Sequence, residues 1–244
     1  MPRTSLRPGW SLALGISGIV LLLASVGLGW WDVQTSIDPW TIAGHEYRFD
    51  ATSTFLPGPF AREHCSTNNT SMPGWGYICA NTEPNGFLDP YANPELHTTQ
   101  VAALYSALEL LLLLTVIVVA VGVALLSPLW IRRGRPRAQT LRVGWWFLLV
   151  AALLALALPT WVAVAQPIAI GQDEVTSGNT SPPPGGAHSF WGSCGGSATP
   201  CGMENVTMTW GAGLGWFTCL GAGIFFLGLV VQARSVLRRP SPPA

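Results

Sequence analysis

The chain has 244 residues, 49% hydrophobic and only 10% charged, where a soluble domain carries about a quarter charged residues. Twelve basic and twelve acidic side chains cancel to zero, so the chain lacks the basic footprint of a nucleic-acid binder. That is too little charge to coat a globular surface, and lipid must solvate much of the polypeptide.

The distribution of charge says where. Every basic residue is arginine, and ten of the twelve fall in three short segments: Arg3 and Arg7; Arg132, Arg133, Arg135, Arg137 and Arg142; Arg234, Arg238 and Arg239. Eleven of the twelve acidic residues fall in two long polar loops between those segments. Short arginine-rich segments stay in the cytoplasm. The pattern predicts a cytoplasmic N-terminus over 1–9, spans at 10–31, 101–130, 143–168 and 208–231, outer loops at 32–100 and 169–207, a cytoplasmic basic loop at 131–142 and a cytoplasmic tail at 232–244. The expected fold is an all-α integral membrane protein of the plasma membrane. It is a four-helix bundle whose first outer loop is small, β-containing and disulfide-braced.

The first span has the roughly 20 apolar residues that a bilayer crossing needs, with Trp10 and Trp31 at its ends where indoles prefer the interface. A signal peptide is the competing reading. Against it, the stretch outruns an h-region of about 7–15 residues and no small-residue cleavage site ends it. In the first outer loop, Trp31 to Phe49 alternates apolar and polar residues around Ala43-Gly44, the pattern of a short hairpin. Cys65 and Cys79 follow. A disulfide between them would close a loop of about 15 residues and stabilise it by roughly 3 kcal/mol.

The second span is longer than a perpendicular crossing requires, and Pro159 is expected to kink the third. The second outer loop is rich in Gly, Ser and Pro, and little regular structure is expected in it beyond a Cys194–Cys201 closure. Four cysteines outside and Cys219 in the fourth span suit two disulfides in an oxidising exterior, although sequence leaves the pairing open. Asn68, Asn69, Asn179 and Asn205 head glycosylation sequons, all on the outer side.

Gly211, Gly215, Cys219 and Gly223 recur every fourth position, which on a helix makes one ridge of small residues. Its expected use is close packing inside the bundle, with a seam to a second copy or a partner membrane protein as the alternative. Ser11 with Gly15, or Ser25 with Gly29, are the facing candidates on the first span. Glu109 is the one ionisable residue within an apolar stretch. At a rise of about 1.5 Å per residue it lies about 30 Å from Trp130, near the outer edge of the membrane, where it reaches water. The four histidines, His45, His64, His97 and His188, lack a metal-ligand spacing, so no metal or cofactor is expected.

Four spans with two outer cysteine pairs resemble, in topology, the DsbB family of quinone-linked thiol oxidants. That family carries a C-x-x-C pair in its first loop, where this chain has thirteen residues between Cys65 and Cys79. More of the chain resembles the claudin and PMP22 group of tetraspan proteins. The likeness rests on inner termini, a long first outer loop opening on Trp30-Trp31 with β-like alternation, and a cysteine pair ahead of the second span. It implies a disulfide-braced extracellular sheet, mapped here onto Cys65 and Cys79. Phe60 to His64 stands before Cys65 where that group carries Gly-Leu-Trp.

No motif specifies a reaction. The leading expectation is a non-enzymatic structural, assembly or interaction protein acting through its outer loops. A DsbB-like oxidoreductase and an oligomeric transporter or channel subunit are the alternatives. The expected partners are the lipid bilayer, further copies of the chain or a partner membrane protein, and no nucleic acid.

Overall fold

The computed structural model describes residues 8–42, 45–58, 60–67, 87–90, 99–131, 138–177, 189–195 and 206–237. Four helices carry the apolar stretches: α1 Pro8–Gly27, α2 Thr99–Ile131, α3 Ala138–Ser177 and α4 Leu214–Leu237. Six strands come from the polar segments: β1 Trp31–Ile42, β2 His45–Phe55, β3 Phe60–Thr67, β4 Phe87–Pro90, β5 Gly192–Gly195 and β6 Val206–Ala212. The chain separates into two compact units. One comprises Met1–Val26, Leu110–Thr160 and Phe217–Ala244; the other comprises Gly27–Glu109 and Trp161–Trp216.

The first unit is helical. Within it, Gly15 and Gly18 of α1 lie against Leu229 and Phe226 of α4, so the two helices run antiparallel. Gly122 of α2 meets Leu148 of α3, and Gly144 of α3 meets Leu125 and Leu126 of α2, again antiparallel. Leu156 of α3 meets Gly223 of α4, while the Trp145 indole donates to the Val230 carbonyl at 2.9 Å, the same sense once more. The start of α1, the end of α2, the start of α3 and the end of α4 therefore share one end of the bundle. Leu112, Val119, Leu126, Leu148, Ala155 and Phe226 are buried, whereas Leu110, Leu113, Ile117, Leu153, Ile224 and Val231 are exposed. A helix apolar on both its buried and its outward side suits a large protein core or a membrane. Gln100–Ser127, Gln139–Asp173 and Leu214–Ser235 are long and apolar enough to cross a membrane, and Ser11–Gly27 forms a shorter apolar helix.

The second unit is built on an antiparallel sheet of order β4-β3-β2-β1-β6-β5. β1 and β2 pair from Trp31↔Phe55 to Ile42↔His45, which places the hairpin connection at 43–44 where the alternation predicts it. The register slips between Ile37 and Trp40, at Asp38-Pro39. Proline has no N–H for the ladder and is accommodated at such bulges. β1 pairs on its other side with β6, from Trp31↔Ala212 to Ile37↔Val206.

Several expectations are corrected. The expected mostly helical architecture with four helices and a small sheet stands, but the sheet has six strands and draws on both polar loops, not on the first alone. Residues 206–212 form β6, so the fourth apolar helix starts at Leu214 and not at 208; Val206, Met208, Trp210 and Ala212 alternate with Thr207, Thr209 and Gly211, a two-residue period that continuous apolar character obscures. The first helix ends at Gly27, and Trp31 opens a strand. α3 runs on to Ser177, nine residues beyond the predicted 168. The second loop carries β5 and part of this helix, not merely irregular chain.

Candidate functional site

Side chains alternate across a strand, and the register gathers one set of polar groups on one face of the sheet. Ser193 of β5, Thr209 of β6, Gln34 of β1, Thr52 of β2 and His64 of β3 stand side by side in a single row. Ser193, Thr209, Gln34 and His64 are exposed and Thr52 is half-buried. A second row holds Thr207, Ser36 and Asp50, with the Ser36 hydroxyl donating to Asp50 Oδ1 at 2.6 Å. A third holds Asp32, Thr54 and Arg62. The face is a platform of hydroxyl, amide and a few charged groups supplied by both polar loops, with several donors and acceptors open to solvent.

The opposite face carries the packing. Trp31 is buried and its ring lies tilted against that of Phe55 at 5.1 Å, which in turn meets Tyr105 at 6.0 Å. The Trp31 indole donates to the Phe190 carbonyl at 3.0 Å and the Trp210 indole to the Ser189 carbonyl at 3.1 Å. Two tryptophans from different strands thus clamp consecutive residues at the entry to β5. At the corner after β2, Gly58 takes φ 92°, a left-handed conformation suited to glycine, and its N–H donates to the Tyr105 carbonyl at 2.8 Å.

Helix ends are completed by distant segments. The first N–H groups of a helix lack intrahelical acceptors. For α4, Gly215 N donates to Gly29 O at 2.6 Å, and just ahead of the helix Gly213 N donates to Trp30 O at 3.0 Å. For α2, the Asp173 carboxylate accepts from the amides of Gln100 and Val101 at 2.8 and 3.0 Å. Below it, fully buried Tyr105 donates to Gln166 Oε1 at 2.7 Å, and Gln166 Nε2 has no protein acceptor.

In the helical unit, prolines free backbone carbonyls, because a proline at position i has no N–H for residue i−4. Pro128 frees Ala124, whose oxygen accepts from Ser127 Oγ at 2.9 Å. Pro159 frees Ala155, whose oxygen lies 3.4 Å from Cys219 Sγ. On α1 the Ser25 hydroxyl donates to the Leu22 carbonyl at 2.7 Å, within its own helix.

The residues singled out by sequence divide accordingly. Gly215, Cys219 and Gly223 lie on α4 in close packing: a Cβ on Gly215 would sit 2.6 Å from Trp30 Cδ1, and one on Gly223 2.8 Å from Leu156. Gly211 is not on that ridge but on β6, beneath Trp191, since the helix starts only at Leu214. Gly15 does face α4, but Gly29 lies outside any helix and borders Thr54. Glu109 is half-buried on α2, ten residues from its start. Cys65 lies on β3 opposite Ala51 and Cys194 on β5 opposite Met208, both with side chains outside the described set. Cys79, Cys201, Asn68, Asn69, Asn179 and Asn205 lie outside the described residues altogether. Among the described residues no three His, Cys, Asp or Glu converge as metal ligands.

Sequence reasoning does not anticipate the Trp31–Trp210 clamp, the Asp173 cap, Gly18 or the polar rows. Only the rows had a readable signal, in the alternation of 206–212. No known protein-family model matches the chain, and no curated protein matches its sequence.

Proposed function

We propose that this chain is a non-enzymatic four-span protein of the plasma membrane, with both termini cytoplasmic, that uses its polar sheet face to hold a partner protein or further copies of itself. The observation that carries the reading is the Ser193–Thr209–Gln34–Thr52–His64 row. Strands from two loops far apart in sequence enter one sheet and present a common hydrogen-bonding surface. The chemistry of that row fits recognition: hydroxyls, an amide and an imidazole, groups that donate and accept hydrogen bonds. The claudin and PMP22 likeness is part of the proposal at the level of architecture, as is a Cys65–Cys79 brace. The three arginine-rich segments of the sequence support the cytoplasmic side assigned to the termini.

Two experiments test it. Impermeant labelling of intact cells should reach cysteine tags at positions 85 and 185 and spare one at 135; the reverse pattern refutes the topology. Cross-linking of the full chain in its native membranes should trap a species larger than the monomer, and Gln34→Arg with Thr209→Arg should abolish it while the folded yield stays unchanged. A species that persists in the double variant, or a monomer throughout, refutes the role of the face.

A further inference from the structure

We infer that Trp191 is an outer-leaflet anchor, an indole seated in the phospholipid headgroup layer beside the first turn of α4. The inference rests on the membrane-spanning reading above and adds to it a specific lipid contact. The apolar segment Leu214–Ser235 has 22 residues, about 33 Å of helix, which matches a hydrocarbon core of about 30 Å. Leu214 therefore marks the outer boundary of the hydrocarbon, and Leu214 is 60% exposed.

Trp191 is held at this level. Its ring meets that of Trp216 edge-on at 5.7 Å and that of Phe190 at 4.6 Å. It also lies over Gly211, where a Cβ would approach Trp191 Cδ1 to 2.6 Å. The Ser189 hydroxyl donates to the Trp191 carbonyl at 2.5 Å and fixes the backbone that displays the ring. Although packed on two aromatic rings, Trp191 remains 51% exposed.

The indole N–H completes the argument. Trp31 and Trp210 spend theirs on the Phe190 and Ser189 carbonyls. Among the described residues nothing accepts that of Trp191. An apolar ring with one free donor, placed at the hydrocarbon boundary, suits the layer where lipid ester and phosphate oxygens accept hydrogen bonds.

Fluorine NMR of the full chain, labelled with fluorotryptophan in phosphatidylcholine nanodiscs, tests this. Trp191→Phe identifies the resonance by its loss. Lipid doxyl-labelled near the headgroup should broaden that resonance several-fold more than a soluble gadolinium chelate does. Broadening by the chelate alone places the ring in water and overturns the inference, and protection from both probes means protein covers the ring, which overturns it equally. A fluorotryptophan introduced by Leu114→Trp reports the span itself, through lipid doxyl-labelled near the chain terminus. If that control stays sharp, the membrane reading has failed; if it broadens while Trp191 does not, only the anchor has.

Discussion

Replacing Cys219 by alanine tests whether a thiol on α4 completes the backbone of α3. Ala155 and Cys219 are both fully buried, and the sulfur lies 3.4 Å from the carbonyl that Pro159 cannot serve. A buried acceptor that loses its donor costs about 1–3 kcal/mol. The thiol is a weak donor, and hydrogen bonds between helices in bilayers average about 0.6 kcal/mol with a maximum near 1.7. The hydrogen-bond part of the loss is then about 1 kcal/mol, and the methyl-sized void left by sulfur adds about 1 more. Cys219→Ala should cost about 2 kcal/mol, and Cys219→Ser less, because it keeps a donor.

The decisive comparison is with Pro159→Ala, which restores the missing N–H. In that background Cys219→Ala should cost only its void, about 1 kcal/mol. The two changes should therefore be coupled by about 1 kcal/mol. Reversible unfolding of all four variants in mixed micelles, titrated with a denaturing detergent and followed by circular dichroism, measures the coupling. If Cys219→Ala costs the same in both backgrounds, to within the 0.3–0.5 kcal/mol or so at which independent sites add, the thiol has no bearing on the proline and the reasoning fails.

Tyr105→Phe leaves Gln166 without its one protein partner and should destabilise the fold by about 1–2 kcal/mol. Adding Gln166→Leu should recover most of that loss, because both polar partners are then gone; the same unfolding assay reads both. Gly215→Leu drives a side chain against Trp30 and the backbone carbonyls of Leu28 and Gly29, and should sharply lower folded yield by size-exclusion chromatography. Unchanged yield would mean the helix start can shift. Trp31→Phe keeps an aromatic ring beside Phe55 but loses the donor to Phe190 O and part of a buried ring, so it should cost about 2–3 kcal/mol and speed hydrogen exchange in β5 ahead of β2.

What was legible in the chain depended on whether the signal was local. Hydropathy located four helices, and alternation located the β1–β2 hairpin with its connection at 43–44, since both are periodicities within one segment. The start of α4 was obscured for a definable reason. Val206, Met208, Trp210 and Ala212 are apolar enough to extend a hydrophobic window, and only the intervening Thr207 and Thr209 report a strand. That misreading carried Gly211 onto a helical ridge where it does not belong. The candidate site depended on register between loops more than a hundred residues apart, as in Gln34↔Thr209, and no local pattern encodes such a pairing.

The helix caps were less legible still. Gly29 and Trp30 serve α4 through their carbonyls, groups that every residue possesses. Nothing in the side chains at 29 and 30 announces that role. It arises because β1 pairs with β6, which delivers the chain to Leu214 two residues after the last residue of the strand. Pairing β1 with β6 thus sets the first turn of α4 in the same step, and a substitution that breaks the pairing should also fray that turn. Replacing Val33 and Thr209 by proline removes one N–H from each strand, and by the alternation of an antiparallel ladder one of the two faces the β1–β6 seam. It should therefore accelerate exchange at Gly213 and Gly215 as strongly as within the strands, while the same change on the β3–β4 side should leave those two amides protected.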